Sequence, residues 1–170
     1  MNVATITGTK QYLTFKLKDE VFAVDVAQVR EILDLAPITR VPQTPDFMRG
    51  VINLRGSVVP VVDMRLKFGL DKKEDTINTC IIVVEVSVDD ETTVLGAMAD
   101  SVQEVFELEP GHIEPPPKIG SRLSMEFIRG IGKRDGRFIM ILDIDRVFSV
   151  RELEVIKDTG EQGGGAGREA

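Results

Sequence analysis

The feature that most constrains the fold is an internal repeat, because residues 47–65 match residues 127–145 without a gap. Five of these nineteen pairs are identical, whereas typical amino-acid composition would give about one. The repeat predicts one folding unit used twice, with a groove between the two copies where a partner binds. The identical pairs are Phe47/Phe127, Arg49/Arg129, Gly50/Gly130, Gly56/Gly136 and Asp63/Asp143.

A second block upstream supports the repeat in a register that is four residues shorter. Chance similarity between two β-rich stretches is the weaker interpretation, since the register changes inside a loop, 109–124, that carries Pro115, Pro116 and Pro117. Loops between matched elements tolerate such insertions. The pairs in this block are Ala23/Ala99, Val26/Val102, Val29/Val105, Glu31/Glu107 and Ile32/Leu108.

The residue types favour sheet over helix. The chain has 42% hydrophobic residues but one Tyr and no Trp, so Val, Ile and Leu must fill the core. Each half offers about five short strands, which close most readily into a small barrel. Stretches 58–62, 81–84 and 139–142 are apolar on both faces, so a second core is expected at a seam between the barrels.

The predicted organisation is a single domain over residues 1–157 made of two interleaved β-barrel subdomains. The repeat units cover approximately 12–70 and 77–148, with short helical turns and a short terminal helix within 145–157. Residues 158–170 contain three consecutive glycines and are expected to form a disordered tail. The start of the chain close to the first strand favours a complete, stand-alone protein.

Charge and hydropathy exclude several classes of partner. The net charge is −7 with no basic stripe, so we expect no nucleic-acid binding. No apolar run approaches eighteen residues and no secretory signal is visible, so we expect a cytoplasmic protein without direct membrane insertion. The single cysteine, Cys80, lies in an apolar strand and is predicted to be a buried hydrophobe.

The chain is poor in groups that catalyse reactions. The only histidine, His112, lies in a proline-rich loop without a second ligand, so we expect no enzyme activity, no metal and no cofactor. Asp63 and Asp143 occupy equivalent places, and a duplicated structural role, such as capping the turn after the strand, explains them better than a catalytic dyad. The turn Arg55-Gly56 is a stronger candidate for a functional role. Its counterpart Asp135-Gly136 has residues that two-residue hairpin turns favour, whereas Arg55 stands where Asn or Asp would be preferred.

At this point the residues resemble a known family. Residues 50–65, which contain the block Asn53-Leu-Arg55-Gly, are similar to the CheW-type adaptor family of bacterial chemotaxis. Residues 29–32 and 44–47 resemble two further elements of that family, and the likeness covers about residues 10–150. The resemblance implies a fold of two intertwined five-stranded SH3-like barrels.

The resemblance also implies a function. It implies a non-enzymatic adaptor that couples methyl-accepting chemoreceptors to a CheA-type histidine kinase in signal transduction. The kinase regulatory domain and the cytoplasmic tip of the receptors would be the partners, and the adaptor would be recruited to membrane-associated receptor arrays. The residues that bind the kinase are not indicated. The positions that match the family's receptor-binding residues are Val29, Glu31, Gly50, Asn53, Arg55 and Val105.

For several of these positions a structural role stays open. Val29 and Val105 are also compatible with core packing, and Glu31 has a copy at Glu107 that points to a shared structural role. Asn53 could simply hydrogen-bond within its turn. The alternative function is a regulatory double barrel that binds a small ligand in its cleft, although the shortage of aromatic residues argues against it.

Overall fold

The structure is a computed structural model that describes residues 10–70, 74–115, 127–134 and 136–169. Strands dominate it, which confirms the predicted mainly β fold. The strands are β1 Lys10–Leu17, β2 Glu20–Asp25, β3 Val29–Asp34, β4 Met48–Leu54, β5 Ser57–Asp63, β6 Cys80–Val88, β7 Glu91–Ala99, β8 Ser101–Leu108, β9 Ile113–Glu114, β10 Ile128–Arg134 and β11 Arg137–Leu142. The helices are α1 Met64–Lys67, α2 Ile144–Val147 and α3 Val150–Glu169, with 3-10 turns at Val26–Gln28 and Pro110–His112.

The strands form two curled sheets, and the halves of the chain exchange their hairpins between them. One sheet has the order β8-β1-β2-β11-β10-β9 and the other β3-β6-β7-β5-β4. Hairpin β1–β2 of the first half thus joins strands of the second half, and β6–β7 does the reverse. Two parallel pairings, β2 with β11 and β5 with β7, join the exchanged hairpins to strands of the other half.

This exchange confirms the intertwined SH3-like barrels, but it corrects the expectation that each half closes into its own barrel. The five-stranded count holds for one sheet, whereas the other gains β9, which is two residues long. The first half has a reduced version of the same pairing, an isolated bridge between Thr39 and Val51. β9 pairs with Ile131, the repeat equivalent of Val51, so the extra strand belongs to the repeated unit.

Strands buried on both faces lie between two cores, as the apolar stretches predicted. Alternate side chains of a strand point to opposite faces, so neighbours along the chain enter different cores. In β6, Ile81 and Val83 enter the core of the five-stranded sheet, while Ile82 and Val84 enter a larger core shared by both sheets. The same division holds in β11, where Ile141 belongs to the core of the six-stranded sheet and Leu142 to the shared core.

The identical pairs of the repeat have matching contacts in both copies. The carbonyl oxygen of Phe47 accepts from the Asp63 amide at 2.7 Å, and that of Phe127 accepts from the Asp143 amide at 2.8 Å. An ion pair at 3.7 Å joins Arg49 to Asp63 and is repeated at 3.7 Å between Arg129 and Asp143. The repeat therefore preserves the contacts that close the β4–β5 hairpin, and the equivalent β10–β11 hairpin, at the base.

The predicted capping role is confirmed for one of the two aspartates. The Asp63 carboxylate accepts from the backbone amide of Arg65 at 3.0 Å and so caps α1. Asp143 precedes α2 but makes no side-chain capping bond, so the prediction was wrong there. Its carboxylate lies instead between Arg129 and Arg146, each at 3.7 Å.

The C-terminal helix differs from the prediction in both start and length. Asp145 belongs to the separate helix α2, and α3 begins after Ser149, which forms a reciprocal capping pair with Glu152 through bonds of 2.9 and 3.1 Å. The backbone of α3 then continues to Glu169, through the region expected to be disordered from residue 158. Thr159 shows why the boundary of 157 was too early, since its side chain is buried and donates to the Val155 carbonyl at 2.8 Å.

Cys80 is buried, as predicted, and burial raises the pKa of its thiol. Among the helices in the described part of the chain, none is both long and apolar enough to cross a membrane. Pro116, Pro117 and Asp135, on which two of the loop and turn predictions rest, lie outside the described residues.

Candidate functional site

The turn between β4 and β5 places an arginine in an unusual backbone conformation. Leu54 pairs with Ser57, so Arg55 and Gly56 form a two-residue turn with positive φ angles of 52° and 86°. Such turns favour Asn or Gly in both positions, and an arginine there is held against its own preference. The Asn53 side-chain oxygen accepts from the Gly56 amide at 2.9 Å, so Asn53 does hydrogen-bond within its turn.

Arg55 is held by a bidentate ion pair with Glu31 on the edge strand β3. Its Nη1 donates to Glu31 Oε2 at 2.7 Å and its Nη2 to Glu31 Oε1 at 3.1 Å. This hydrogen-bonded pairing raises the pKa of Arg55. Because the Arg55 side chain is 75% exposed, the pair serves orientation more than stability. It joins the β4–β5 turn to β3 and leaves further N–H donors of the guanidinium facing outward.

An open depression of about 350 Å³ lies beside this ion pair. Its base is apolar and its rim is charged, which suits an amphipathic partner better than a small polar molecule. Val58, next to the turn, is 37% exposed there. The lining residues are Arg30, Glu31, Leu54, Arg55, Ser57, Val58, Val59, Val83 and Val94.

Arg30 and Val58, which were not predicted from the sequence, also line this depression. Arg30 forms an ion pair with Glu85 of β6, so a second arginine is fixed at the rim. Their positions in the sequence could have indicated them. Arg30 is adjacent to Glu31, and Val58 lies three residues after Arg55 in a strand predicted to be apolar on both faces. The apolar pattern alone gave no reason to expect Val58 at the surface.

The structure brings only part of the predicted receptor-binding set together. Glu31, Asn53 and Arg55 meet at the β4–β5 turn. Val29 lies on the same strand as Glu31 but is half-buried and packs against the shared core. Val105 is 52% exposed on β8, in the other sheet. Val29 and Val105 nevertheless occupy equivalent places, since β3 and β8 are the outermost strands on one side of their sheets.

Gly50 is buried, so it contributes to the packing of the backbone and not to the exposed surface of the site. It is buried with φ of 136°, and a Cβ atom there would lie 2.1 Å from the Thr39 carbonyl oxygen. Its repeat equivalent Gly130 is similarly close to β9, where a Cβ would lie 2.3 Å from the Ile113 side chain. Both glycines therefore let a neighbouring backbone segment approach β4 or β10.

The residue types of this ion pair are not repeated in the second half of the sequence. Glu107, the equivalent of Glu31, is exposed on β8, but the position equivalent to Arg55 is Asp135. Two carboxylates cannot form the same contact, so the residue types of the second copy do not allow this ion pair.

The described residues offer little chemistry for catalysis. His112 is exposed at the end of a 3-10 turn. Across the described ranges no group of three or more His, Cys, Asp or Glu side chains is placed to hold a metal ion.

The fold is that of a small protein built from two intertwined SH3-like barrels. Comparison with known proteins gives the family: residues 11–152 match the CheW-like domain, and the chain belongs to that family.

Relatives cover nearly the whole chain. The probable chemotaxis protein CheW of Rhizobium etli is 35% identical over 147 residues, which span 86% of this chain and 92% of the relative. The chemotaxis protein CheW of Klebsiella aerogenes is 32% identical over 155 residues, or 91% of each chain. The crystal structure of the scaffolding protein TtCheW from Thermoanaerobacter tengcongensis superposes with a TM-score of 0.74 at 34% identity, covering 84% of this chain and 94% of that one.

Proposed function

We propose that this protein is a non-enzymatic chemotaxis adaptor that couples methyl-accepting chemoreceptors to a CheA-type histidine kinase. The observation that carries the proposal is the match to the CheW-like domain over residues 11–152. The names of the relatives, which include a scaffolding protein and several chemotaxis proteins, support it. The adaptor would act in the cytoplasm, at receptor arrays on the membrane.

The depression beside Arg55 supports docking of a receptor tip, which is a helical hairpin. A helix binds in a groove through an apolar stripe flanked by polar contacts. The exposed Val58 offers apolar contact, and the outward donors of Arg55 offer a polar anchor whose direction Glu31 sets. Arginine is one of the residue types that dominate the binding energy of protein interfaces.

Calorimetric titration with the isolated regulatory domain of the cognate CheA-type kinase tests the adaptor function. We expect saturable one-to-one binding with a dissociation constant of about 1 μM or tighter, about −8 kcal/mol. No detectable heat at several temperatures, with both proteins folded, would contradict the proposal. A thermal-shift screen with metabolites would then test the small-ligand alternative.

The substitution Arg55→Asp is expected to weaken receptor binding at least about tenfold, which corresponds to about 1.4 kcal/mol. The substituted carboxylate repels Glu31 and removes the polar anchor at the rim. Stability should change little, because the Arg55 side chain is 75% exposed. Titration with a soluble receptor-tip fragment measures the binding, and urea denaturation measures the stability.

Arg137→Asp is the matched control. It changes the net charge equally, at an exposed position two residues after the equivalent hairpin position in the second half. Binding that falls equally in both variants would indicate a general charge effect, and binding that is unchanged in Arg55→Asp would remove the depression from the receptor site.

A further inference from the structure

The chain crosses from one sheet to the other at two places, and each crossover is held by one short helix. The first crossover is the 3-10 turn Val26–Gln28 between β2 and β3, and the second is Asp100 between β7 and β8. Arg65 in α1 binds Asp100 at 2.8 Å, and Asp145 in α2 accepts from Gln28 at 2.9 Å. Arg65 and Asp145 are equivalent positions of the repeat, so both copies use the same helix position with opposite charge.

The first crossover is only partly buried. None of the residues in Val26–Gln28 is fully buried, so polar contacts help to set its position beside the packing of Val26 against the shared core. Gln28 Nε2 donates to Asp145 Oδ1 at 2.9 Å and lies 3.3 Å from the Glu85 carbonyl oxygen. The same Asp145 Oδ1 also accepts from the Ser87 backbone amide at 2.8 Å. One carboxylate oxygen thus ties the crossover to the end of β6.

The crossover leads directly into the strand that carries the candidate site. Val29 is the residue after Gln28, and the pairing of β3 with β6 shifts between Val29 and Glu31, which leaves Arg30 at an irregularity. An edge strand with an irregular start has few backbone bonds to fix that start. Glu31, which holds Arg55, lies three residues after Gln28, just past this irregularity.

We infer that Asp145 is a positioning residue for the candidate receptor site, acting from helix α2 by holding the Val26–Gln28 crossover. The inference rests on the proposed function for its binding consequence alone. The fixing of the crossover is a property of the free protein and is measured separately.

Two substitutions at one position separate the hydrogen bonds from the charge. Both bonds end on the same oxygen, so Asp145→Asn keeps an acceptor for Gln28 and Ser87 while it removes the charge. Asp145→Ala removes the charge and the acceptor together. An effect of charge would appear in both variants, whereas an effect of the two bonds appears only in Asp145→Ala.

Amide hydrogen exchange of the folded, full-length protein is the first measurement. In Asp145→Ala we expect exchange at residues 28–32 and at Ser87 to rise about tenfold, with Val61 and Val62 of β5, which pair with β4 and β7, unchanged as an internal reference. Asp145→Asn should exchange like the wild type. Unchanged exchange in Asp145→Ala, or an equal rise in both variants, would overturn the inference.

Titration with a soluble receptor-tip fragment is the second measurement. Asp145→Ala should bind about fivefold more weakly, and Asp145→Asn should bind like the wild type. Faster exchange with unchanged binding would overturn the positioning role. If the wild-type protein itself fails to bind the fragment, the proposed function fails, and the exchange data still decide whether Asp145 holds the crossover.

Discussion

Arg65→Ala is expected to lower the free energy of unfolding by about 3–5 kcal/mol, because it removes the buried cation that bridges two buried carboxylates. The Arg65 side chain is 1% exposed and makes bonds of 3.0 and 2.9 Å to Asp63 and of 2.8 Å to Asp100. Burial alone would lower the pKa of Arg65, but its contacts with Asp63 and Asp100 raise it. The guanidinium therefore stays charged and pairs with both side chains. Urea denaturation followed by circular dichroism measures the loss.

Arg146→Ala is the control for this substitution. Arg146 is also an arginine in a short helix close to the equivalent aspartate, Asp143, but its side chain is 72% exposed. Its removal should cost less than about 0.5 kcal/mol. Similar losses in the two variants, or a loss below about 1 kcal/mol for Arg65→Ala, would mean that the buried network does not stabilise the fold.

Gly50→Ala is expected to cost at least about 2 kcal/mol of stability, through backbone strain and a steric clash together. The φ of 136° is a conformation that side-chain-bearing residues rarely adopt, and the new Cβ would meet the Thr39 carbonyl oxygen at 2.1 Å. Relief of that clash requires the Thr39–Val51 bridge to open. Thermal unfolding measures the loss.

Gly69→Ala separates strain from clash. Gly69 also has a positive φ, 75°, but a Cβ there would have no atom within 4 Å. The cost should therefore be about 1 kcal/mol, from the backbone alone. Equal costs at both positions would show that the close approach of Thr39 is unimportant. The comparison also bears on the candidate site, because a loss of receptor binding in Gly50→Ala would follow from the displaced backbone.

The repeat predicted much of the fold because its identities lie where geometry allows few residue types. Gly50 and Gly130 lie where backbones approach closely, and the Arg49–Asp63 pair recurs as Arg129–Asp143. The exchange of hairpins between sheets could not be read from the same pattern. A strand that is apolar on both faces looks alike whether its neighbours come from its own half or from the other.

Parts of the candidate site were visible in the sequence for a different reason. Arg55 stood out because it breaks a turn preference that its repeat equivalent keeps, and the structure places it on Glu31. Asp145 gave no such signal, since an aspartate in a short helix is ordinary. Its contacts with Gln28 and Ser87 join residues far apart in the chain, and only the three-dimensional fold brings them together.

The pairing of β2 with β11 has a consequence for biosynthesis. β2 contacts β11 through Phe22 and Met140, so the first hairpin to leave the ribosome cannot complete its sheet until almost the entire domain has been translated. Folding is therefore expected to be largely post-translational and slow for a protein of this size, since its closing contacts are distant in sequence. A fragment that ends after the first repeat unit would expose the apolar faces of β1 and β2, and we expect it to aggregate instead of folding.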